Sequence, residues 1–417
     1  MELKRVVVTG VGALTPIGSN IADFRKALFE GVSGADMITR FDASKFKTKF
    51  ACEVKNYDPL DYFDRKVARR LDQYAQFALI TADEAVKDAG LEPEKLNTDR
   101  IGVIMSSGIG GLQTFEQEMD AYSKGDGSPH FNPFFIPKMI SDIASGHISM
   151  KYGFRGPNYG TVAACATATM SLANAFDHIR LGRATVMVAG GSEASISHSG
   201  VGGFNAMHAI STRNDDPKTA SRPFDVDRDG FVMGDGSGTL ILEEYEHAKA
   251  RGAKIYCEVA GAGMTADAHH LTAPHPEGLG AANVMRFALE DAGLKPEDVD
   301  YINVHGTATP LGDISEPIAI INVFGEHAYK LSISSTKSMH GHLLGAAGAV
   351  ESIASIFAMQ DSMIPPTINH FNDDPRIDSK LDFTFNKAKK REVNVALSNT
   401  FGFGGHNGTI IFKKLDY

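Results

Sequence analysis

The alternation of apolar runs and amphipathic segments along the chain predicts strands that alternate with helices. Val6-Val7-Val8 and residues 184–189 are short, continuous apolar runs, which are typical of strands buried on both faces. Leu172, Phe176 and Ile179 recur at helical spacing. We therefore expect an α/β fold with mostly parallel sheets covered by helices.

Parts of this pattern occur twice, which indicates an internal duplication. The sequence Asp-Ala-Gly-Leu that begins at Asp88 recurs at Asp291, each time at the end of a predicted helix and before a predicted strand. A strand followed by Gly-x-Gly near the start of the chain is likewise repeated at 255–263. Self-similarity of this kind marks repeated structural units. We predict an N-terminal half over 1–254 and a C-terminal half over 255–417.

The first half carries additional residues at about 112–160, to which no segment of the second half corresponds. Phe131, Phe134 and Phe135 make this insert aromatic and apolar. Exposed apolar surface is typical of a subunit contact or of the wall of a pocket. The alternative is a small satellite core beneath a loop.

Composition and charge exclude several classes of protein. The 417-residue chain has a net charge of −10, is 43% hydrophobic and 22% charged, and is long enough for two or more domain-sized cores. An acidic chain without a long basic run is not expected to bind nucleic acid. Apolar runs fall short of membrane-spanning length and the first residues do not resemble a signal peptide, so we expect a cytoplasmic protein that does not bind a membrane. Three scattered cysteines match neither a disulfide framework nor a metal motif.

Cys165 is the first candidate for chemistry. A run of small residues, Gly160 to Ala164, leads into this cysteine, and a predicted helix follows it. The unpaired N–H groups and the dipole of a helix N-terminus favour the thiolate, which is the nucleophilic form. The alternative is a cysteine that is simply packed in the core, as free cysteines often are.

Histidines follow strands in the second half. His305 lies at the predicted end of a strand, where α/β proteins place ligands. His340 and His342 precede a small-residue helix in the position that Cys165 occupies in the first half, and because they alternate we expect one of them to face the site. If the halves are related by a pseudo-twofold axis, a thiol meets two imidazoles. That set suits a nucleophile with two proton-handling or oxyanion-binding groups better than a metal, whose ligands are usually closely spaced.

A buried ion pair and two loops complete the predicted site. Glu351 is the one charge in an apolar helix and needs a partner, for which we propose Lys337. Residues 264–275 contain three histidines, but we expect a polar loop near the site instead of a metal centre. Residues 398–408 form a glycine-rich loop in which a backbone N–H could serve as an oxyanion donor, an effect worth ~10²–10³ in rate.

The basic cluster at 66–72 is read from the residues alone as a solvated helix face.

Four stretches together resemble the condensing enzymes of fatty-acid synthesis, and they cover nearly the whole chain in order. These are Ala164-Cys165-Ala166-Thr167, residues 305–310, residues 337–342 and residues 401–405. The sequence from Ser107 to Leu112 is more similar to the type II β-ketoacyl-acyl-carrier-protein synthases than to type I. The resemblance implies a thiolase-like fold, a five-layer αβαβα arrangement built from two duplicated halves, and a homodimer.

The resemblance also implies a mechanism. Cys165 takes an acyl group from the phosphopantetheine thioester of an acyl carrier protein, and its backbone N–H and that of Phe403 form the oxyanion hole. His305 and His342, with Lys337 among the catalytic residues, act when malonyl-acyl carrier protein loses CO₂. The product is a 3-oxoacyl chain that is two carbons longer. No cofactor is implied beyond the phosphopantetheine of the carrier.

The same resemblance assigns further residues to supporting, pocket-lining, pantetheine-binding and docking roles. Glu351 and Asp313 support the catalytic residues. The acyl pocket and its gate are assigned to Ile109, Phe135 (from the other subunit), Phe403 and Asp267. Pantetheine binding is assigned to Thr272, Thr307 and Thr309, and docking of the acidic carrier protein to Lys66, Arg69, Arg70 and Arg213. No metal is required, although a monovalent cation is expected near Asn303, Glu351, Ser398 and Asn399.

Two alternative functions remain at this point. A polyketide ketosynthase shares the same residues and differs in product. A non-catalytic partner subunit of the chain-length-factor kind lacks the nucleophile, so Cys165 with both histidines argues against it.

Overall fold

The structure is a computed structural model that describes residues 3–415. Residues 1, 2, 416 and 417 lie outside the described residues, and with them the predicted outer ends of the two halves. The predicted boundary at 254/255 stays a prediction; it falls between helix and strand, before the strand that begins at Cys257.

Fourteen strands are described: β1 (Val6–Leu14), β2 (Asp36–Met37), β3 (Phe50–Ala51), β4 (Ile101–Ser106), β5 (Asn158–Tyr159), β6 (Val186–Glu193), β7 (Gly236–Glu244), β8 (Cys257–Ala266), β9 (Tyr301–Asn303), β10 (Ser332–Ser334), β11 (Met363–Ile364), β12 (Lys389–Lys390), β13 (Val395–Gly402) and β14 (His406–Lys413).

The α-helices of the described residues are α1 (Ile21–Glu30), α2 (Arg65–Ala68), α3 (Gln73–Asp88), α4 (Leu112–Lys124), α5 (Phe135–Met139), α6 (Ile143–Tyr152), α7 (Thr167–Arg180), α8 (His198–Ala206), α9 (Tyr245–Ala250), α10 (Leu279–Ala292), α11 (Gly312–Phe324), α12 (Lys337–His340) and α13 (Ala347–Asp361). Short 3₁₀ turns connect several of them.

The strand order shows the duplication directly. The first half is ordered β5-β4-β6-β7-β1, and the second half is ordered β10-β9-β13-β14-β8. In both halves the first three strands pair in parallel and the last two pairings are antiparallel. The halves also meet, because β1 pairs with β8 over three residues.

Helices fill three layers around these strands. α7 and α13 lie in the centre, and each contacts strands of both halves. α3 and α6 cover the outer side of the first half, while α10 and α11 cover that of the second. α13 is buried along nearly its whole length, which explains why its sequence has no polar face. This is the predicted five-layer αβαβα arrangement.

The repeated Asp-Ala-Gly-Leu and Gly-x-Gly sequences form one structural unit in each half. In the first half Gly10 and Gly12 lie so close to α3 that a Cβ on either would fall within 2.3 Å of a helix carbonyl oxygen. Asp88 of that helix accepts a hydrogen bond from Val11 N at 3.0 Å. The glycines of this strand therefore serve helix–strand packing.

The second half repeats these contacts. Gly261 and Gly263 of β8 lie against α10 in the same way, and Asp291 accepts a hydrogen bond from Ala262 N at 3.0 Å. Each repeated aspartate thus bonds to the backbone amide between the two glycines of its own first strand. The residues that are repeated in the sequence are those that this helix–strand packing requires in each half.

The predicted insert at 112–160 contains elements of the fold itself. α6 packs on β4 and leads to β5, as α11 leads from β9 to β10 in the second half. The part that lacks a counterpart is therefore shorter and consists of α4, α5 and their loops. Its aromatic residues pair with one another, as in the stacked rings of Phe131 and Phe135.

Within residues 3–415, none of the helices is both long and apolar enough to cross a membrane.

Candidate active site

A cavity of about 600 Å³ opens where the two halves meet, and three of the four predicted catalytic residues line it. Cys165 comes from the first half, and His305 and His342 come from the second. Lys337 lies behind the wall of the cavity, buried with Glu351. The duplication thus brings together a thiol and two imidazoles that are far apart in sequence.

Cys165 lies in a tight turn that leads into the central helix α7. The turn is a single 3₁₀ segment, Ala164–Ala166, and α7 begins at Thr167, as the sequence predicts. Ala164 has a φ of +49°, a conformation that non-glycine residues rarely adopt. The equivalent turn before α13 has the same strain at Leu344, with a φ of +47°. Strain of this kind is typical of functional sites.

Burial, not the helix N-terminus, governs the thiol. Burial raises the pKa of Cys165 to about 12. The ammonium of Lys337 and the backbone N–H groups of Phe403 and Cys165 act in the opposite direction, but more weakly. The predicted effect of the helix start stays a prediction: backbone N–H groups lower the pKa of Cys165, but in the substrate-free site the loss of hydration outweighs them. The resting group is the thiol.

His342 contacts the thiol of Cys165 directly. Its Nε2 lies 3.1 Å from Sγ of Cys165. The backbone of His342 is held on both sides: its N–H donates to Val232 O at 2.7 Å, and its carbonyl accepts from Gly234 N at 2.9 Å. His340 turns away and hydrogen bonds to Thr336 Oγ1, so one of the two alternating histidines faces the site, as expected.

His305 stands perpendicular to His342. The ring centroids are 5.3 Å apart with an interplanar angle of 87°. Glu316 fixes this position, because its two carboxylate oxygens accept the backbone N–H groups of His305 and Gly306, each at 2.9 Å. Burial, followed by the charge of Lys337, holds the pKa of both His305 and His342 well below 6.5. Both imidazoles are therefore neutral at pH 7.

Lys337 and Glu351 form the predicted ion pair, completely buried at the start of α12 and on α13. Burial raises the pKa of Glu351 and the adjacent ammonium opposes that effect. The pair is too deep to touch a ligand in the cavity. Its positive end acts on the site by lowering the pKa of both histidines and of Cys165.

The backbone N–H groups of Cys165 and Phe403, which are predicted to form an oxyanion hole, both lie near the thiol. Phe403 follows β13, whose last residue, Gly402, lies against the cysteine turn: a Cβ there would come within 2.8 Å of Ala163 O and 3.1 Å of Cys165 N. The N–H groups of Phe403 and of Cys165 itself both lower the pKa of the thiol, although burial raises it by more.

The mouth of the cavity carries the residues predicted to bind pantetheine and to gate the pocket. Thr307 and Thr309 lie side by side, with their hydroxyl oxygens 3.0 Å apart. Also on the lining are Thr272, Asp267, Ile109 and Phe403. Asp267 accepts hydrogen bonds from Asn407 Nδ2 and His275 N, so its carboxylate ties the 264–275 loop to the neighbouring strand.

Asp313 holds the segment 307–310, here called the threonine loop. Its carboxylate accepts the N–H groups of Ala308 and Phe224 and lies 3.7 Å from Arg228 Nε. Arg228 also donates to the carbonyls of Thr309 and Pro310. Burial raises the pKa of Asp313 to about 6, against the opposing effect of Arg228.

Some predicted site residues lie elsewhere in this chain. Phe135 is in α5, where it stacks with Phe115 and Phe131, away from the residues that line the cavity. The basic cluster lies in a separate surface groove, whose lining residues are Arg65, Lys66, Arg69, Arg70, Asn132, Pro133 and Phe134. Arg213 is not among them, and its Nη2 donates to Asp227 O.

The residues predicted to surround a cation are buried together beneath the site. Asn303 Oδ1, Ser398 Oγ and Glu351 Oε2 are buried oxygens without a hydrogen-bond partner. Asn399 is different, since its Oδ1 accepts from Thr409 Oγ1 at 2.7 Å. Unpartnered buried oxygens are costly unless an ion or water meets them, so this set fits an oxygen-loving cation.

The histidine-rich loop does not form a metal centre. Among residues 3–415, no group of three or more His, Cys, Asp or Glu side chains is arranged to hold a metal. His270 Nδ1 accepts the backbone N–H groups of Thr272 and Ala273, and so shapes the loop at the cavity mouth.

Sequence reasoning missed three charged residues that support the site: Glu316 beneath His305, Arg228 beneath the threonine loop, and Glu193 behind Cys165. Glu316 and Glu193 each interrupt an otherwise apolar or small-residue element, which is the signal that pointed to Glu351. Arg228 lies in an irregular polar segment and carries no such signal.

Comparison with known proteins identifies the family of the chain. Residues 3–248 match the beta-ketoacyl synthase N-terminal domain, and residues 256–371 match the beta-ketoacyl synthase C-terminal domain. A thiolase-like fold with a cysteine nucleophile between two histidines defines the class of condensing acyltransferases. The chain belongs to the beta-ketoacyl synthase family.

Individual relatives narrow the assignment. The chain is 50% identical to a 3-oxoacyl-[acyl-carrier-protein] synthase 2 of Synechocystis sp., with 99% of each chain covered. It is 49% identical, with the same coverage, to the enzyme of that name from Staphylococcus aureus. A type II polyketide ketosynthase, solved in complex with its acyl carrier protein, has a TM-score of 0.91 at 35% identity and covers 99% of this chain and 100% of its own. The predicted fold, the predicted acyltransferase class and the predicted type II synthase of fatty-acid elongation are confirmed.

Proposed function

We propose that this chain elongates acyl chains through Cys165, with the residue roles that the cavity geometry supports. An acyl group moves from acyl carrier protein to Cys165, malonyl-acyl carrier protein loses CO₂, and the two fragments join as 3-oxoacyl-acyl carrier protein. The observation that carries the proposal is the 3.1 Å contact between Cys165 Sγ and His342 Nε2 beside the neutral His305.

In the first step Cys165 is acylated. Its Sγ attacks the thioester carbonyl carbon while the thiol proton passes to Nε2 of the neutral His342. The negative charge on the carbonyl oxygen is stabilised by the N–H groups of Cys165 and Phe403. When the tetrahedral intermediate collapses, the pantetheine sulfur leaves and takes the proton from His342, which returns the imidazole to its neutral form.

In the second step the malonyl group loses CO₂. The electrons of the broken C–C bond form an enolate, whose oxygen accepts hydrogen bonds from an N–H of His305 and from Nε2–H of His342. For this step the neutral imidazole of His342 changes tautomer, so that its one proton moves from Nδ1 to Nε2. Neutral imidazoles are suited to this task, because each carries an N–H that can donate a hydrogen bond to the enolate without any change in the charge of the ring. The enolate carbon attacks the acyl carbonyl, the C–S bond to Cys165 breaks, and the released thiolate takes up a proton from solvent.

Substrate binding follows from the lining of the cavity. Ile109, Leu344, Phe204 and Phe231 present apolar surface near Cys165, which suits an acyl chain. Thr307, Thr309 and Thr272 lie on the way out and offer hydroxyl groups to the amides of pantetheine.

The carrier protein docks at the basic groove. Lys66, Arg69 and Arg70 form a concentrated positive site on a chain with a net charge of −10. Arg213 lies outside this groove, and its part in docking rests on the family resemblance alone. Arg70 is held over the ring of Phe134 at 4.9 Å. Such a patch attracts an acidic partner.

A monovalent cation would be held by Asn303, Ser398 and Glu351 through their unpartnered oxygens. When bound it would supply positive charge beneath the histidines. Lys337 already provides a positive charge there, so the chemistry above needs no metal.

A homodimer would complete the pocket. β5 is an edge strand of the sheet and has exposed neighbours, including Met150 and Val162, which are 71% and 55% exposed. An apolar edge of this kind favours pairing with a second copy. In that dimer Phe135 would approach the partner's cavity, as the family resemblance implies.

The test is acylation followed by condensation. Incubation with an acyl-acyl carrier protein is expected to add the acyl mass to the tryptic peptide that contains Cys165, and addition of malonyl-acyl carrier protein is expected to release CO₂ and a product longer by two carbons. Cys165→Ala is the control and should carry no acyl group. An acyl group on another residue, or on none, would overturn the proposal. Products extended through many cycles without reduction would instead support a polyketide ketosynthase.

A further inference from the structure

The buried carboxylate of Glu193 lies directly behind the wall of the cavity, and the mechanism above does not use it. It ends strand β6 and is completely buried. Its Oε1 accepts hydrogen bonds from Ser107 Oγ at 2.7 Å and Ser195 Oγ at 2.8 Å. Its Oε2 accepts the backbone N–H groups of Gly108 at 3.0 Å and Gly345 at 3.1 Å.

Three of these bonds lie within the first half, and the fourth, from Gly345, joins the two halves. Gly108 belongs to the first half and precedes Ile109, whereas Gly345 belongs to the second half and follows Leu344. The loops touch each other there, because a Cβ on Gly345 would fall 2.2 Å from Gly108 N. Ile109 and Leu344 both line the cavity beside Cys165. The spacing of these two side chains is therefore set by the groups that Glu193 binds.

Ser107 passes this restraint on to the rest of its turn. Its hydroxyl oxygen accepts Gly110 N at 2.7 Å and Ile109 N at 3.3 Å, and its hydrogen is then free to be donated to Glu193. Every neighbour of the carboxylate thus acts as a donor. A carboxylate satisfies this arrangement, and an amide of the same shape does not, because its NH₂ group would face Ser107 Oγ.

We propose that Glu193 is a positioning residue that fixes the separation of Ile109 and Leu344 and thereby sets which acyl chain lengths reach Cys165. This inference rests on the proposed function. It concerns the shape of the apolar pocket only and assigns Glu193 no contact with substrate.

Three variants test it. Glu193→Gln keeps the volume but reverses the polarity at Ser107. Ser107→Ala keeps the carboxylate and releases the N–H groups of Ile109 and Gly110. Ser195→Ala is the matched control, since it removes one hydrogen bond to Glu193 without touching either loop of the pocket. Each protein is acylated with short, medium and long acyl-acyl carrier proteins, and kcat/KM is measured for each length.

For Glu193→Gln and Ser107→Ala, the ratio of kcat/KM for long over short chains is expected to rise by about tenfold, because a loosened Ile109 turn admits longer chains. Ser195→Ala should keep the wild-type ratio. An unchanged ratio in both test variants, or an equal change in the control, would overturn the proposal. If Glu193→Gln does not fold, the ratio of kcat/KM for long over short chains measured for Ser107→Ala decides whether the proposal stands. If the wild-type protein is not acylated at any length, the proposed function fails instead.

A second measurement separates positioning from general loss of structure. The charge of Glu193 raises the pKa of the Cys165 thiol. Alkylation of Cys165 should therefore shift to lower pH in Glu193→Gln and remain unshifted in Ser195→Ala. A shift to lower pH in the control as well would show that the effect does not come from the charge.

Discussion

The charge states of Cys165, His305 and His342 are set by burial and by one distant cation. All three groups are kept neutral, the thiol because its pKa is raised to about 12 and the imidazoles because theirs are well below 6.5. Lys337 lowers the pKa of all three groups, which favours neutral imidazoles but opposes the effect of burial on the thiol. A neutral site lets one histidine first receive a proton from the thiol and later donate a hydrogen bond to the enolate.

The raised pKa of Cys165 predicts how the substrate-free site reacts. Only the thiolate is alkylated, so the rate with iodoacetamide should increase about tenfold per pH unit and show no plateau between pH 7 and 10. The measurement is the pH profile of the alkylation rate, with Cys165→Ala to correct for the other cysteines. A plateau below pH 8 would mean that the helix N-terminus and the Phe403 N–H outweigh burial.

Glu316→Gln is expected to impair decarboxylation more than acylation. The amide would place its NH₂ group against the N–H of His305 or Gly306, which costs ~1–3 kcal/mol and displaces the imidazole. Malonyl decarboxylation should therefore fall strongly while acyl transfer to Cys165, which uses His342, is retained. The exposed Glu297→Gln serves as the control, and equal loss of both half-reactions would contradict this role.

The same carboxylate predicts a pH dependence. Burial raises the pKa of Glu316 to about 7, so the group is protonated as the pH falls below that value and loses an acceptor for the backbone of His305. Decarboxylation by the wild-type protein should decline below about pH 7. The Glu316→Gln variant should not show this decline of the decarboxylation rate below about pH 7, because its amide does not titrate.

At the scale of elements, the site depends on two helices that cross at very short distance. α7 follows Cys165 and α13 follows the His342 segment, so their packing fixes the distance between thiol and imidazole. Gly348 of α13 lies on Thr169 of α7, and a Cβ there would fall 2.0 Å from Thr169 Oγ1. The small residues of α13 are thus required by the crossing.

Gly348→Ala is expected to separate these helices. Overpacking of this kind typically costs ~1–3 kcal/mol of stability, and the wider Cys165–His342 gap should lower the acylation rate as well. Gly146→Ala is the matched control, because a Cβ there meets nothing within 4 Å in helix α6. Its stability should be unchanged or slightly higher, as alanine favours the helix. Thermal unfolding together with the acylation rate checks both variants, and equal behaviour would contradict the crossing argument.

For the molecule as a whole, charge is distributed unevenly. The chain is acidic overall, yet Lys66, Arg69 and Arg70 are grouped around one groove. If the proposed docking is right, this local positive charge gives an acidic carrier a preferred direction of approach.

Charge reversal in the groove should affect carrier-bound substrates alone. Lys66→Glu and Arg69→Glu are expected to raise KM for acyl-acyl carrier protein several-fold with little change in kcat, and added salt should weaken the wild-type interaction in the same way. Acylation by a free pantetheine thioester should be unaffected. Lys26→Glu, on α1 and outside the groove, is the control. A similar rise in KM for both substrates would place the effect elsewhere.

Sequence patterns predicted the architecture well because residues that are needed for the same packing occur at matching places in both halves. The Asp88 and Asp291 repeats, with their glycine partners, are needed for the same packing in each half and so remain visible. Cys165 and His342 were expected to face each other for the same reason. The family resemblance added the thioester substrate, which residue spacing alone did not indicate.

The features that could not be predicted depend on distances across the fold. The charge state of Cys165 reflects burial by residues from both halves, and a helix start at 166–167 says nothing of that burial. Glu193 and Glu316 bind backbone amides, which no side-chain pattern records. The extent of the insert was overestimated because α6 and β5 have no sequence similarity to α11 and β10.

The pairing of strand β1 has a consequence for biosynthesis. All nine residues of Val6–Leu14 are buried, and this strand bonds to β7 and β8. In synthesis β1 emerges before both of its partners, because β7 begins only at Gly236 and β8 at Cys257. While the residues between Leu14 and Gly236 are translated, an apolar strand thus lacks its neighbours, and such edges aggregate readily. The nascent chain is therefore expected to need a chaperone until residue 266 has emerged.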